Sequence, residues 1–145
     1  MKSLVFIGGL LVMAAGHAKQ VPNPYSHCFK QAAQQYGLSE SLLSAIACVE
    51  SRFNGNALSS PNKDGSRDYG VMQINESNFS NLGLNNQTIF DVCTNVKAGA
   101  AVLSEKMKSY GTTWEAVGAY NARTPHKRMS YAWKVYRVMK AGVCT

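Results

Sequence analysis

No stretch of this chain is apolar for long enough to cross a bilayer. The best run, Leu4 to Ala15, falls short of the roughly 20 residues that a spanning helix needs. No cysteine stands behind that run, which argues against a lipid-anchored form. No linker, internal repeat or low-complexity segment divides the sequence, which leaves one mature domain. Cysteine is scarce, and the four present are spaced by 20, 45 and 51 residues. Those spacings fit no zinc pattern, so no metal site is expected among the cysteines. Acid is scarce too: 8 Asp and Glu face 15 Lys and Arg, for a formal charge of +7. A basic excess of this size suits a polyanionic or carboxylate-bearing partner such as cell wall, a membrane surface or nucleic acid. No nucleic-acid-binding module accompanies it, so no nucleic acid is expected as a partner.

What is present begins with "MKSLVFIGGLLVMAAGHAKQ". Lys2, the apolar run, and the small residues Gly16 and Ala18 have the three-part form of a secretory signal peptide. Residues 1–18 are therefore expected to be removed, leaving residues 19–145 as one exported domain. Losing Lys2 takes the charge from +7 to +6. Export and an even number of cysteines predict two disulfides among Cys28, Cys48, Cys93 and Cys144, with three connectivities open.

The remaining pattern predicts a mostly helical α+β domain. A first helix over 26–36 ends at Gly37, and Ser39 caps a second that reaches Ser51. A turn-rich region follows, in which only "YGVMQIN" has strand character. Alternation there puts Met72 and Ile74 in the core and Gln73 and Asn75 on the open face. A short helix is expected over 77–82. Asp91 and Thr94 begin a long helix ending at Gly111, with Val96, Ala100, Leu103 and Met107 along one stripe. Thr113 caps "WEAVGAYNA", and Pro125 opens a last helix carrying Met129, Trp133, Tyr136 and Met139. Its Arg128, Lys134, Arg137 and Lys140 read as a solvated face.

One acid is out of place. Leu43, Ile46, Glu50 and Phe53 recur at helical spacing, so Glu50 falls on an apolar stripe. An apolar setting disfavours the charged carboxylate and raises its pKa. A carboxyl that still holds its proton near neutral pH can act as a general acid.

Around Glu50 the motifs "ES-x-F-N", "DYGVMQIN" and "AYNA" occur in that order. Together they resemble the lysozyme-like lytic transglycosylases of glycoside hydrolase family 23. The resemblance runs from about Cys28 to Tyr136 and is strongest to small exported members that accompany conjugation, pilus and type III or type IV secretion systems. It implies a lysozyme-like fold with a small β element. It makes Glu50 the acid/base at the bond between N-acetylmuramic acid and N-acetylglucosamine. It gives Ser59, or its neighbour Ser60, a place near the reacting sugar, and lets the backbone at Gly70 approach that sugar. Gln73 and Asn75 would bind substrate, and Tyr120 would orient the catalytic carboxylate and approach the acetamido group. Ser51 would tighten the helix end, and Asn121 would hold the local turn. The family usually has glycine after "AYNA", where this chain has Arg123. The resemblance also implies Cys28–Cys93 and, with it, Cys48–Cys144.

Asp68 stands 18 residues after Glu50, in a run that also looks like animal-type lysozymes. There the matching aspartate is a second catalytic carboxylate, and retaining enzymes hold two such groups about 5–5.5 Å apart. The resemblance implies that a transglycosylase needs only one, because the substrate supplies its own nucleophile, and that no metal or organic cofactor is needed. The expectation is thus a periplasmic, monomeric peptidoglycan lytic transglycosylase that opens the wall for a transenvelope machine. The alternatives are a hydrolase using Glu50 and Asp68, and a non-catalytic wall-binding assembly factor.

Overall fold

The computed structural model describes residues 20–144, so the expected leader lies outside the described residues. Six α-helices and one two-stranded sheet follow in the order α1 (Ser26–Tyr36), α2 (Glu40–Ser51), β1 (Asp68–Tyr69), β2 (Ile74–Asn75), α3 (Phe79–Leu82), α4 (Val92–Tyr110), α5 (Trp114–Asn121) and α6 (Pro125–Ala141). The caps act as the sequence predicts. The side chain of Ser39 accepts from the Leu42 amide, Asp91 from Thr94 and Thr113 from Ala116. Each such cap contributes about 1 kcal/mol, enough to fix where a helix starts. The short helix arrives in two pieces, a 3-10 turn over Glu76–Asn78 and then α3.

Helix α2 is buried on every side, not along one stripe. All eight residues from Ser41 to Cys48 are buried. Helices α1, α4 and α6 pack around it. Its two buried serines are satisfied from the segment before α1: Ser41 donates to Gln20 at 3.0 Å, and Asn23 donates to Ser44 at 3.0 Å. A central helix of this kind makes its C-terminal end, with Glu50, the place where the core meets the surface.

The sheet corrects one expectation. "YGVMQIN" is a tight hairpin, with Asp68 paired to Asn75 and Tyr69 to Ile74. Its middle, from Gly70 to Gln73, is turn, and Gly70 and Gln73 have φ of 75° and 51°. Met72 and Ile74 are nevertheless buried, as expected. The turn is pinned by Asn95 of α4, which is fully buried. Its Oδ1 accepts from the Met72 amide at 2.7 Å, and its Nδ2 donates to Tyr69 and Ile89 carbonyls at 2.9 Å each. Gly70 serves this contact: a Cβ there would lie 2.3 Å from Asn95 Nδ2.

The two disulfides join Cys28 to Cys93 and Cys48 to Cys144. The first ties α1 to the start of α4, and the second pins the residues after α6 to the central helix. Helix α6 differs from its expected face. Its buried residues are Tyr131, Ala132 and Val135, while Met129 and Trp133 are 64% and 54% exposed. Arg128 does not belong to the solvated face either. It pairs with Glu115 of α5 at 2.8 Å and lies over the Tyr110 ring. Lys134, Arg137 and Lys140 are exposed as expected.

Helices α5 and α6 approach most closely at Gly118, where a Cβ would stand 2.3 Å from the Arg128 carbonyl oxygen. Propensity alone says that Gly118→Ala should stabilise α5 by about 1 kcal/mol. The clash is with backbone, so crowding wins, at about 1–3 kcal/mol. Chemical denaturation of Gly118→Ala is expected to show a net loss of stability.

Candidate active site

Glu50 is the penultimate residue of α2, and the chain leaves the helix through Arg52 and Phe53, both at positive φ. Ser51 anchors this exit. Its hydroxyl lies 2.7 Å from the Val71 carbonyl, which ties the helix end to the hairpin turn. Tyr120, at the end of α5, donates to the Met72 carbonyl at 2.8 Å. Val71 and Met72 are therefore held from α2, α4 and α5, and that fixes the hairpin beside Glu50.

Tyr131 donates its hydroxyl to Glu50 Oε1 at 2.5 Å. The hydroxyl on the Glu50 carboxyl is thus that of Tyr131, while that of Tyr120 bonds the hairpin. The two rings stack, with centroids 6.4 Å apart and planes 18° apart. Burial pushes the Glu50 pKa from 4.5 up to about 7, and the charge of Asp68 adds to the rise. The Tyr131 hydrogen bond and the more distant Lys134 act the other way and are outweighed. Burial and the Glu50 charge also hold both tyrosine hydroxyls protonated, well above the usual phenol range.

Asp68 opens β1, and its charge is felt at Glu50. Its carboxylate accepts from Asn75 Nδ2 at 2.8 Å and from Asn62 Nδ2 at 3.3 Å. Asn75, expected to bind sugar, is hydrogen-bonded at both ends of its amide. It also holds Ser66, and its Oδ1 caps the next turn by accepting from Ser77. Ser59 is likewise engaged: its hydroxyl accepts from the Asp68 amide at 2.9 Å and donates to the Ser60 carbonyl. Gln73 donates from Nε2 to the Gly70 and Ala57 carbonyls, so its Oε1 is the atom left for a ligand.

Two residues of this arrangement escape the sequence. Tyr131 lies on the 131, 135, 138 spacing of α6, which the larger Met and Trp side chains of the other face overshadow. Asn95 is a polar residue inside a long helix, and only its position four residues before Gly99 marks it. Gly99 lies against Met72, so Asn95 and Gly99 together form the seat of the hairpin.

A carboxyl that carries its proton near neutral pH, beside a second carboxylate on a small hairpin, is suited to protonating a glycosidic oxygen. This is the equipment of a glycan-cleaving enzyme. Residues 27–132 match the family model described as the transglycosylase SLT domain. The chain belongs to that family and is a peptidoglycan lytic transglycosylase. It is 42% identical over 127 residues to "Invasion protein IagB" of Salmonella typhimurium, covering 80% of this chain and 79% of that protein. It is 42% identical over 118 residues to "Protein IpgF" of Shigella flexneri, covering 76% and 77%. It is 37% identical over 121 residues to "X polypeptide" of Escherichia coli, covering 77% and 71%. An inactive mutant of the lytic transglycosylase Slt from Pseudomonas aeruginosa shares the fold, with a TM-score of 0.64 at 22% identity. That match covers 79% of this chain and 23% of the larger enzyme.

Two outcomes are expected from the Glu50 environment. Removing the Tyr131 hydroxyl removes an interaction that lowers the Glu50 pKa. In Tyr131→Phe, a carbon NMR titration of the Glu50 carboxyl should give a pKa above about 7; an unchanged or lower value would contradict this account. The second outcome concerns stability. A folded-state pKa raised from 4.5 to about 7 contributes stability that is complete below 4.5 and lost as pH rises through about 7. The loss amounts to roughly 3 kcal/mol at 1.36 kcal/mol per pKa unit. Glu50→Gln should therefore gain on the parent protein in thermal unfolding at pH 8 and show little or no gain at pH 4.

Proposed function

We propose that the protein cleaves the β-1,4 bond between N-acetylmuramic acid and N-acetylglucosamine and releases a 1,6-anhydro sugar. Glu50 donates its proton to the glycosidic oxygen as that bond breaks, while the acetamido oxygen of the muramic residue assists at the anomeric carbon. Glu50, now a carboxylate, takes the proton of the muramic 6-hydroxyl, whose oxygen closes on the anomeric carbon and displaces the acetamido oxygen. No water is consumed, and Glu50 ends protonated as it began. Tyr131 positions the carboxyl, and Gln73 Oε1 accepts from an acetamido N–H. Tyr120, Ser59 and Asn75 act through the hairpin, Asn75 by fixing Asp68. The observation that carries this reading is the burial of Glu50 against Tyr131, which raises its pKa from 4.5 to about 7 and lets it both give and take a proton near neutral pH.

The work is done in the periplasm after export, by a monomer, and serves to open the wall locally for a secretion, conjugation or pilus machine. Two cystine bridges fit an oxidising compartment. A relative called an invasion protein fits service to an envelope-crossing apparatus. The second reading is hydrolysis with Asp68 as catalytic partner, favoured by the reach of its charge to Glu50.

Mass spectrometry of muropeptides released from purified peptidoglycan separates the two. Anhydro-muramic products are expected, with release falling by about 10²–10⁴-fold in Glu50→Gln, the usual worth of general acid–base catalysis. Asp68→Asn should slow release by less and leave the product unchanged. Reducing-end products that vanish in Asp68→Asn would establish hydrolysis instead.

A further inference from the structure

Helix α6 has a second face that the catalytic reading does not use. At 100° per residue, Met129 and Trp133 lie roughly 160° around the helix from Tyr131. They border a groove of about 500 Å³ between α5 and α6, which Trp114, Pro125, Ala132 and Tyr136 complete. The groove therefore opens away from Glu50. Tyr136 sits edge-on to Trp114 at 5.5 Å and to Trp133 at 5.4 Å, so the aromatic wall is braced by its own ring contacts. Two large apolar side chains exposed one helical turn apart, beside a concave apolar floor, mark a surface built to be covered.

Charge narrows the choice of what covers it. Helix α6 carries Lys127, Arg128, Lys134, Arg137 and Lys140 and no acid. The one acid at the groove, Glu115, is neutralised by Arg128 at 2.8 Å. Of the other cations, Arg137 and Lys140 stand four residues on from Trp133 and Tyr136, continue the groove's side of α6 and are exposed, whereas Lys127 and Lys134 lie on the Tyr131 side. A concave slot receives protruding side chains; a planar lipid surface cannot follow it. Sugar rings need matching hydroxyl partners, whereas Pro125, Met129 and Ala132 offer none and Glu115 and Arg128 are paired with each other. We infer that this groove docks an acidic amphipathic helix of a partner protein, with aliphatic side chains at helical spacing in the slot and carboxylates against the α6 cations. The inference gives a place to the recruitment proposed above and rests on that reading for the partner being a protein.

The test uses a synthetic 18-residue amphipathic helix with leucine along one face and glutamate elsewhere. Its controls are a twin with lysine in place of glutamate, and phosphatidylglycerol vesicles. Each is titrated by calorimetry into the mature protein and into a Met129→Ser, Trp133→Ser double variant. Both side chains are exposed, so the double variant should keep the parent's melting temperature and its muropeptide release. The glutamate peptide is expected to bind at least tenfold more tightly than the lysine twin, and at least tenfold more tightly to the parent than to the double variant. Equal binding of the two peptides, binding that survives the double substitution, or no peptide binding would overturn the inference. Vesicle binding without peptide binding would overturn it in favour of a lipid surface. Muropeptide release absent from every protein tested would undo the catalytic reading and leave the peptide result standing.

Discussion

The hydrogen bond from Tyr131 to Glu50 is the point on which the rest of the structure turns. It joins the last long helix to the end of the central one, and it does so inside the site. A carboxyl there faces two opposed demands: it must be dry enough to keep its proton and polar enough not to be an orphan. One hydroxyl answers the second demand without defeating the first. The Glu50 pKa reaches about 7 although both that hydroxyl and Lys134 pull it down, so burial is the dominant effect. A stronger partner such as a buried arginine would hold the acid ionised.

Keeping that environment dry requires a rigid neighbour, and the hairpin supplies it. A two-residue pairing is too short to be stable alone. Its turn is held by Ser51, Asn95 and Tyr120, which come from three different helices and converge on Val71 and Met72. Asn95 is the costliest of these to place. Its three hydrogen bonds contribute about 1 kcal/mol each, and each partner left unsatisfied in the core would cost about 1–3 kcal/mol. The positive φ of Gln73 persists because these contacts over-determine the turn. The same network aligns Asp68, whose carboxylate is gripped by Asn75 across the hairpin.

Much of this was legible in the sequence, and the limits have physical reasons. Caps and glycine stops are local, so the helices lie where Ser39, Asp91, Thr113 and Pro125 place them. Glu50 was legible as a misplaced acid, and its raised pKa follows from the burial that the spacing implies. The faces of α2 and α6 were not legible to the same degree. Helix α2 is wrapped on all sides, which a stripe of four residues understates. In α6 the bulkiest apolar residues line an open groove, and the buried face is built from Tyr131, Ala132 and Val135. Side-chain partners were the least legible. Tyr120 and Tyr131 are chemically alike and stack on each other, and only the packing of α5 against α6 decides which hydroxyl reaches Glu50.

The basic surface and the proton-bearing acid are compatible because they work over different distances. A net positive charge draws the protein toward an anionic wall, but in physiological salt its field fades within about 8 Å in water. Most of the cations of α6 are exposed and so are screened in this way. The cation that still registers at Glu50 is Lys134, and its influence is smaller than that of burial, of Tyr131 or of Asp68. The arrangement lets the protein carry many positive charges without drawing the Glu50 pKa back to its ordinary value. A cation brought into the core beside Glu50 would escape screening, because the low-dielectric interior strengthens every charge pair. Pairing Arg128 with Glu115 on the α5 side of α6 keeps its charge away from that position.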